Sequence, residues 1–120
     1  MKLLTQSIAK KLMENHERQA LRAESGMEPI DFAPVLKLFT PDAGATWLFT
    51  EMDPADPDQV FGLCDLGLGC PELGWASLSE IMSVRGKLGL PVERDLYFSS
   101  KEPISSWADR ARAAGRIVDA

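Results

Sequence analysis

A chain of 120 residues is long enough to bury its own core without help from disulfides or a metal. Its 45% hydrophobic and 26% charged residues exclude a disordered segment, and its net charge of -5 argues against binding along nucleic acid or an anionic membrane surface. No apolar run reaches the ~20 residues of a membrane-spanning helix, and Lys10 and Lys11 interrupt the N-terminal apolar stretch too early for an export signal, so a cytoplasmic location is expected.

The first element is an amphipathic helix. Thr5 is its expected N-cap, with Leu4, Ile8 and Leu12 recurring at spacing four and Met13 beside them. The stripe fades through Asn15-His16-Glu17-Arg18, and Gly26 and Pro29 end any extension. Residues 23 to 33 read as a loop. A run of strands follows: Pro34 to Thr40, a turn at Pro41-Asp42-Ala43-Gly44, then Thr46 to Met52. Asp53-Pro54-Ala55-Asp56-Pro57-Asp58 is a loop, since its two prolines forbid continued pairing. Gln59 to Leu66 and Glu72 to Ser77 are the third and fourth strands, and their short links predict an antiparallel meander. Ser77-Leu78-Ser79-Glu80 has the spacing of a capping box and opens a second helix, with Gly86 as its expected stop. A last strand fits Val92 to Phe98, with Val92, Arg94, Leu96 and Phe98 sharing one face. Ser105 or Ser106 is expected to cap a short, loosely docked C-terminal helix anchored by Trp107.

The two cysteines, Cys64 and Cys70, lack zinc-site spacing, and the single histidine, His16, is remote in sequence. They read as reduced thiols with a packing role, with a disulfide or half of a metal site as alternatives. No catalytic residue, metal or cofactor is expected, because the chain carries no nucleophile elbow, P-loop or dinucleotide-binding glycine pattern.

The most informative feature is the placement of charge. Positions 38 to 84 hold Asp42, Glu51, Asp53, Asp56, Asp58, Asp65, Glu72 and Glu80, with no Lys, Arg or His. This is a solvated surface compensated by neighbours in space, an acidic face that docks on a basic partner, or a cation site in the 51 to 58 loop. The loop lacks the ligand order and glycine of an EF-hand. The docking reading selects Glu51, Asp53, Asp56, Asp58 and Asp65 as partner-binding residues, because such a face orients and accelerates association with a basic protein. A rival reading gathers Trp47, Trp75, Arg85, Arg94 and Asp95 in a pocket on the sheet. Arg94, on the apolar face of its strand by alternation, is expected to pair with a carboxylate such as Glu51 or Asp65.

The motifs Phe39-Thr40-Pro41-Asp42, Thr46-Trp47, Thr50-Glu51, Phe61-Gly62-Leu63-Cys64-Asp65, Leu73-Gly74-Trp75, Ser77-Leu78-Ser79-Glu80 and the run Arg85 to Asp95 resemble, in this order, an uncharacterised bacterial family, domain of unknown function 2958. The resemblance covers residues 1 to 98 and implies a small bacterial protein carried on plasmids, phages and integrated elements. It brings no assigned catalytic residues, and the segment Glu24 to Phe32 and the tail after Pro103 look longer than the family's core.

The expected fold is α+β: an N-terminal helix packed on a curved antiparallel sheet of four to five strands, a short helix after the fourth strand, and a short C-terminal helix. Residues 1 to 103 form the domain and 104 to 120 a helical tail. The expected function is a non-enzymatic interaction protein of a mobile element. Its acidic face engages a basic protein, such as a nucleic-acid-binding defence complex that it would inhibit; direct nucleic-acid binding is not expected. The alternative is a small enzyme or ligand-binding domain with a carboxylate and arginine pocket on the sheet.

Overall fold

The computed structural model describes residues 3–119. Its elements are α1 (Gln6–Glu24), β1 (Leu36–Phe39), β2 (Thr46–Met52), β3 (Gln59–Asp65), β4 (Glu72–Ser77), α2 (Leu78–Ser83), β5 (Glu93–Arg94) and α3 (Ile104–Ala114). The strands form one antiparallel sheet in the order β4-β3-β2-β1-β5. The fold is therefore the expected α+β arrangement.

Alternation along the strands sorts the apolar residues into two cores. Leu36, Leu38, Trp47, Phe49 and Val60 join Leu12 of α1 and Ile81 of α2 in the larger one. Leu48 and Leu63, on the opposite face, join Ile104, Trp107, Ala108 and Ala111 of α3 in the smaller one. The C-terminal helix is thus part of the folded body, which corrects the expectation of a loosely docked tail. Its start is held by the segment before β1: Ile104 N–H donates to Phe32 O at 2.8 Å, and Asp31 accepts from the Ser105 amide and hydroxyl. Pro103 is the N-cap and offers no side-chain acceptor, so Asp31 supplies what the cap lacks.

The helix α1 begins where expected, with Ile8 N–H donating to Thr5 Oγ1 at 3.1 Å. It continues through the stretch where the apolar stripe fades, because polar side chains take over the docking. Asn15 Nδ2 donates to Thr50 O at 2.9 Å, and Gln19 bonds both the N–H and the C=O of Ile30. Thr50 is the extra residue of a β-bulge between Phe49 and Glu51, which frees its carbonyl from the ladder.

The hairpin turn at residues 41 to 44 also carries a long-range contact. Asp42 Oδ2 accepts from the amides of Leu88 at 2.7 Å and Leu90 at 3.2 Å. Gly86 lies against this carboxylate, where a Cβ would overlap it. Gly86 is therefore not the stop of α2, which ends at Ser83 with Val84 extended as its C-cap. Asp42→Ala strips two amides of their acceptor and is expected to cost about 1–3 kcal/mol, read by urea unfolding, with faster amide exchange at Leu88 and Leu90.

The last strand is shorter than its sequence pattern. Among the described residues Glu93 and Arg94 pair with β1, and Asp95 N–H adds one more bond to Lys37 O at 3.0 Å. Asp95 then turns the chain, its Oδ1 accepting from Tyr97 N–H at 3.0 Å, which throws Leu96 and Tyr97 outward. The single face of Val92, Arg94, Leu96 and Phe98 does not form.

Candidate functional site

The eight carboxylates of positions 38 to 84 divide by their partners. Glu51 is 6% exposed, and its Oε1 lies 3.2 Å from His16 Nδ1. Asp65 is 2% exposed and accepts from the amides of Gly67 and Ile117, both at 2.9 Å. These two leave the expected docking set, because a partner surface cannot reach a carboxylate sealed under the chain's own groups. Asp42 holds the 86 to 91 loop, as described above.

Asp58 is a capping residue. It accepts from Ser79 N–H at 2.8 Å and from the Ser77 and Ser79 hydroxyls, while Ser77 Oγ accepts from Glu80 N–H at 3.3 Å. The Ser77 half of the expected capping box therefore forms, and Asp58 of the preceding loop, rather than the Glu80 carboxylate, supplies the second acceptor, on the Ser79 amide. The Ser77 hydroxyl, and after it the Ser79 amide, hold the Asp58 carboxyl below its ordinary value of 3.8. A depressed value stabilises the fold above 3.8, and that stabilisation disappears as pH falls below 3.8 through the folded value. In an NMR titration Asp58 should titrate below 3.8, with the Ser79 amide shift following it; titration at or above 3.8 would contradict the cap.

Asp53, Asp56, Glu72 and Glu80 remain. Asp53 is half-buried and accepts from Ala55 N–H; the other three are exposed. Among the described residues none of the four makes an ion pair. Among the described residues, ion pairs of Lys and Arg use carboxylates outside the acidic segment: Lys37 with Asp95 at 3.7 Å, Arg110 with Glu102 at 2.6 Å, and Arg112 with Asp109 at 3.4 Å. Asp53 and Asp56 sit in the β2–β3 loop, which Asp58 ties to the start of α2, the helix that carries Glu80. Glu72 lies at the opposite end of β4, facing Cys64.

The residues expected to share one pocket are dispersed. Trp47 is core at 3% exposure, whereas Trp75 is 48% exposed, in ring contact with Phe61 and His16. Both line a largely apolar cleft of ≈ 310 Å³ with Cys64, Ile81 and Val84, and Glu80 at its rim. Arg85 donates to the carbonyls of Met82 and Val84 and lines a separate cleft with Leu3 and Val92. Arg94 stands opposite Leu38, whereas Glu51 lies beyond the Leu36–Phe49 pair, at the other end of β2. Glu51 and Asp65, the carboxylates expected to pair with Arg94, take His16, Gln19 and backbone amides.

A polar cleft of ≈ 420 Å³ was not legible in the sequence. Lys37, Thr46, Asp65, Asp95 and Arg116 line it, so it joins the sheet to the residues after α3. Only tertiary docking brings Arg116 to Asp65, and no spacing in the chain announces it. Both cysteines are free, and burial pushes the Cys64 thiol up to about 11, which leaves it protonated and unreactive near neutral pH. Among the described residues no group of three His, Cys, Asp or Glu side chains is placed to hold a metal.

The free edge of the sheet adjoins the acidic residues. Among the described residues β4 pairs only with β3, and Glu72, Leu73 and Trp75 on it are exposed. Next to it, Leu66 and Leu68 in the β3–β4 connection are exposed as well. One family, described as protein of unknown function (DUF2958), matches residues 3–118 of the chain. The match includes both the segment 24 to 32 and the C-terminal helix, which therefore belong to the family's extent. No curated protein and no solved structure matches.

Proposed function

The chain belongs to the DUF2958 family, and we propose that this member is an interaction protein whose acidic surface docks on a basic protein. The observation that carries the reading is the set Asp53, Asp56, Glu72 and Glu80, which no Lys or Arg of the described residues neutralises. Unpaired surface carboxylates in a stretch without cations raise the local concentration of a cationic partner and orient its approach. A protein surface that ordinarily holds nucleic acid has the matching charge. A nucleic-acid-binding defence complex met by a mobile element is a partner of that kind, and occupation of its basic groove would inhibit it.

The test is the quadruple variant Asp53→Asn, Asp56→Asn, Glu72→Gln, Glu80→Gln, which spares the structural carboxylates Asp42, Glu51, Asp58 and Asp65. Affinity purification from a bacterial lysate at low salt should recover basic proteins on the unsubstituted chain and at least about tenfold less of them on the variant. The same proteins recovered in the same amounts by both would contradict the reading.

The polar cleft favours a second reading, a domain that binds a small polar ligand between Lys37, Arg116 and Asp95. A metabolite screen by thermal shift should then find a ligand whose stabilisation is lost in Lys37→Met with Arg116→Met. No stabilising ligand, or stabilisation unaffected by the pair, would remove this reading.

A further inference from the structure

We propose that the free edge of β4 takes up an extended segment of the partner as an added strand, and that this segment alternates basic and apolar residues. The proposal rests on the acidic-surface reading and gives it a site and a partner chemistry.

Three observations converge on the edge. First, β4 is the outermost strand, and among the described residues no hydrogen bond runs from Glu72–Ala76 to any group beyond β3. One row of its N–H and C=O groups therefore faces outward, a template for a further strand. Edges are usually blunted by charged side chains, by a proline or by a bulge within the strand. β4 has neither proline nor bulge, its single charge is Glu72 at one end, and its pairing with β3 is regular from Gln59↔Ser77 to Cys64↔Glu72.

Second, Gly74 sits at the middle of the edge although the chain's own packing does not require it. Its φ is not positive, and a Cβ there would meet nothing within 4 Å. A strand glycine that serves neither a turn nor an internal close approach leaves room for another chain.

Third, the edge strand exposes both apolar and acidic side chains. Leu73 and Trp75 stand beside Leu63 and Phe61 in register, and Trp75 also lines the cleft that Glu80 rims. Glu72 precedes them at the start of the strand, paired with Cys64. An incoming strand presents side chains with period two. Its apolar residues would cover the exposed faces of Leu73 and Trp75, and the residues between them would meet Glu72 and Glu80.

Charge decides the occupant. A second copy of the chain brings another net -5 and the same glutamates to the edge, which opposes self-pairing. A segment with Lys or Arg at alternate positions complements both glutamates.

The experiment uses the full chain and two synthetic peptides of equal composition: Lys-Val-Lys-Val-Lys-Val-Lys, and Lys-Lys-Lys-Lys-Val-Val-Val. Binding is measured by titration at low salt, and the location by amide hydrogen exchange. The alternating peptide should bind at least about tenfold more tightly than the block peptide and slow exchange within Glu72–Ala76. Leu73→Lys, at an exposed position of the edge, should weaken the alternating peptide about tenfold at an unchanged melting temperature. Equal binding of both peptides without protection at Glu72–Ala76 would overturn the edge proposal and leave the acidic-surface reading standing. Binding of neither peptide would overturn both. Protection of the same amides in the free chain, with sedimentation as a dimer, would overturn the proposal in favour of a second copy as the occupant.

Discussion

Replacing Gly62 by alanine is expected to cost about 3 kcal/mol or more of folding stability, while Gly74→Val is expected to stay within about 0.5 kcal/mol of the unsubstituted chain. The two glycines face each other across β3 and β4, so local strand context is shared. Their surroundings are opposite. A Cβ on Gly62 would overlap the Leu48 carbonyl and crowd the Cα of Phe49, both backbone atoms of β2 that cannot swing aside. Relief would require β2 and β3 to separate beside the bulge at Thr50, opening the larger core next to Phe49. At Gly74 the space is open, and valine supplies the β propensity that glycine lacks. Urea unfolding of the two variants checks the pair, with a lower midpoint at constant slope expected for Gly62→Ala alone. Equal losses at both positions would mean that the close contact of β3 with β2 is not what the first glycine is for.

Trp107→Ala is the second large effect, expected at about 3–5 kcal/mol. The indole is buried against Leu48 and Leu63, its Nε1 donates to Ser100 Oγ at 3.0 Å, and it is flanked by Phe98 and the Arg110 guanidinium at 6.0 and 4.7 Å. It is the largest side chain in the smaller core. Its removal leaves a cavity that α3 cannot fill, since Ala108 and Ala111 are its neighbours on the helix. The melting temperature should fall by about 10 °C or more, in one cooperative transition for α3 and the sheet. Two separate transitions, or an unchanged midpoint, would restore the view of residues 104 to 120 as an appended tail.

Much of the fold was legible because local signals coincide with local causes. β2 and β4 begin and end where their residue types change, and Thr5 and Ser77 cap the helices that they were expected to cap. The failures share a different cause. Asn15 and Gln19 look like the end of an amphipathic helix, yet they dock it, through bonds to Thr50 and Ile30 that no periodicity encodes. Leu96 looks like the inward position of a strand, but the side chain of Asp95 turns the backbone first. The site was legible only as a net sign. Sequence showed that positions 38 to 84 hold carboxylates and no cations. It could not separate those that build the molecule, Asp42, Glu51, Asp58 and Asp65, from those left to act outward, because their partners lie 19 or more positions away or arise from loop geometry. Glu72 and Glu80, absent from the expected docking set, replace Glu51, Asp58 and Asp65 in it once burial and hydrogen bonding are known.

The near-surface potential is the most direct test of the account. Relaxation of backbone amides by a cationic and by an anionic nitroxide, compared at the same concentration, reports the sign of the potential at each residue. Relaxation by the cationic probe is expected to be the stronger at Asp53, Asp56, Glu72 and Glu80, and at the β4 amides between the two glutamates. Equal relaxation by the two probes there, or stronger relaxation by the anionic one, would show that cations from elsewhere in the chain cover these carboxylates, and the acidic docking surface would not exist.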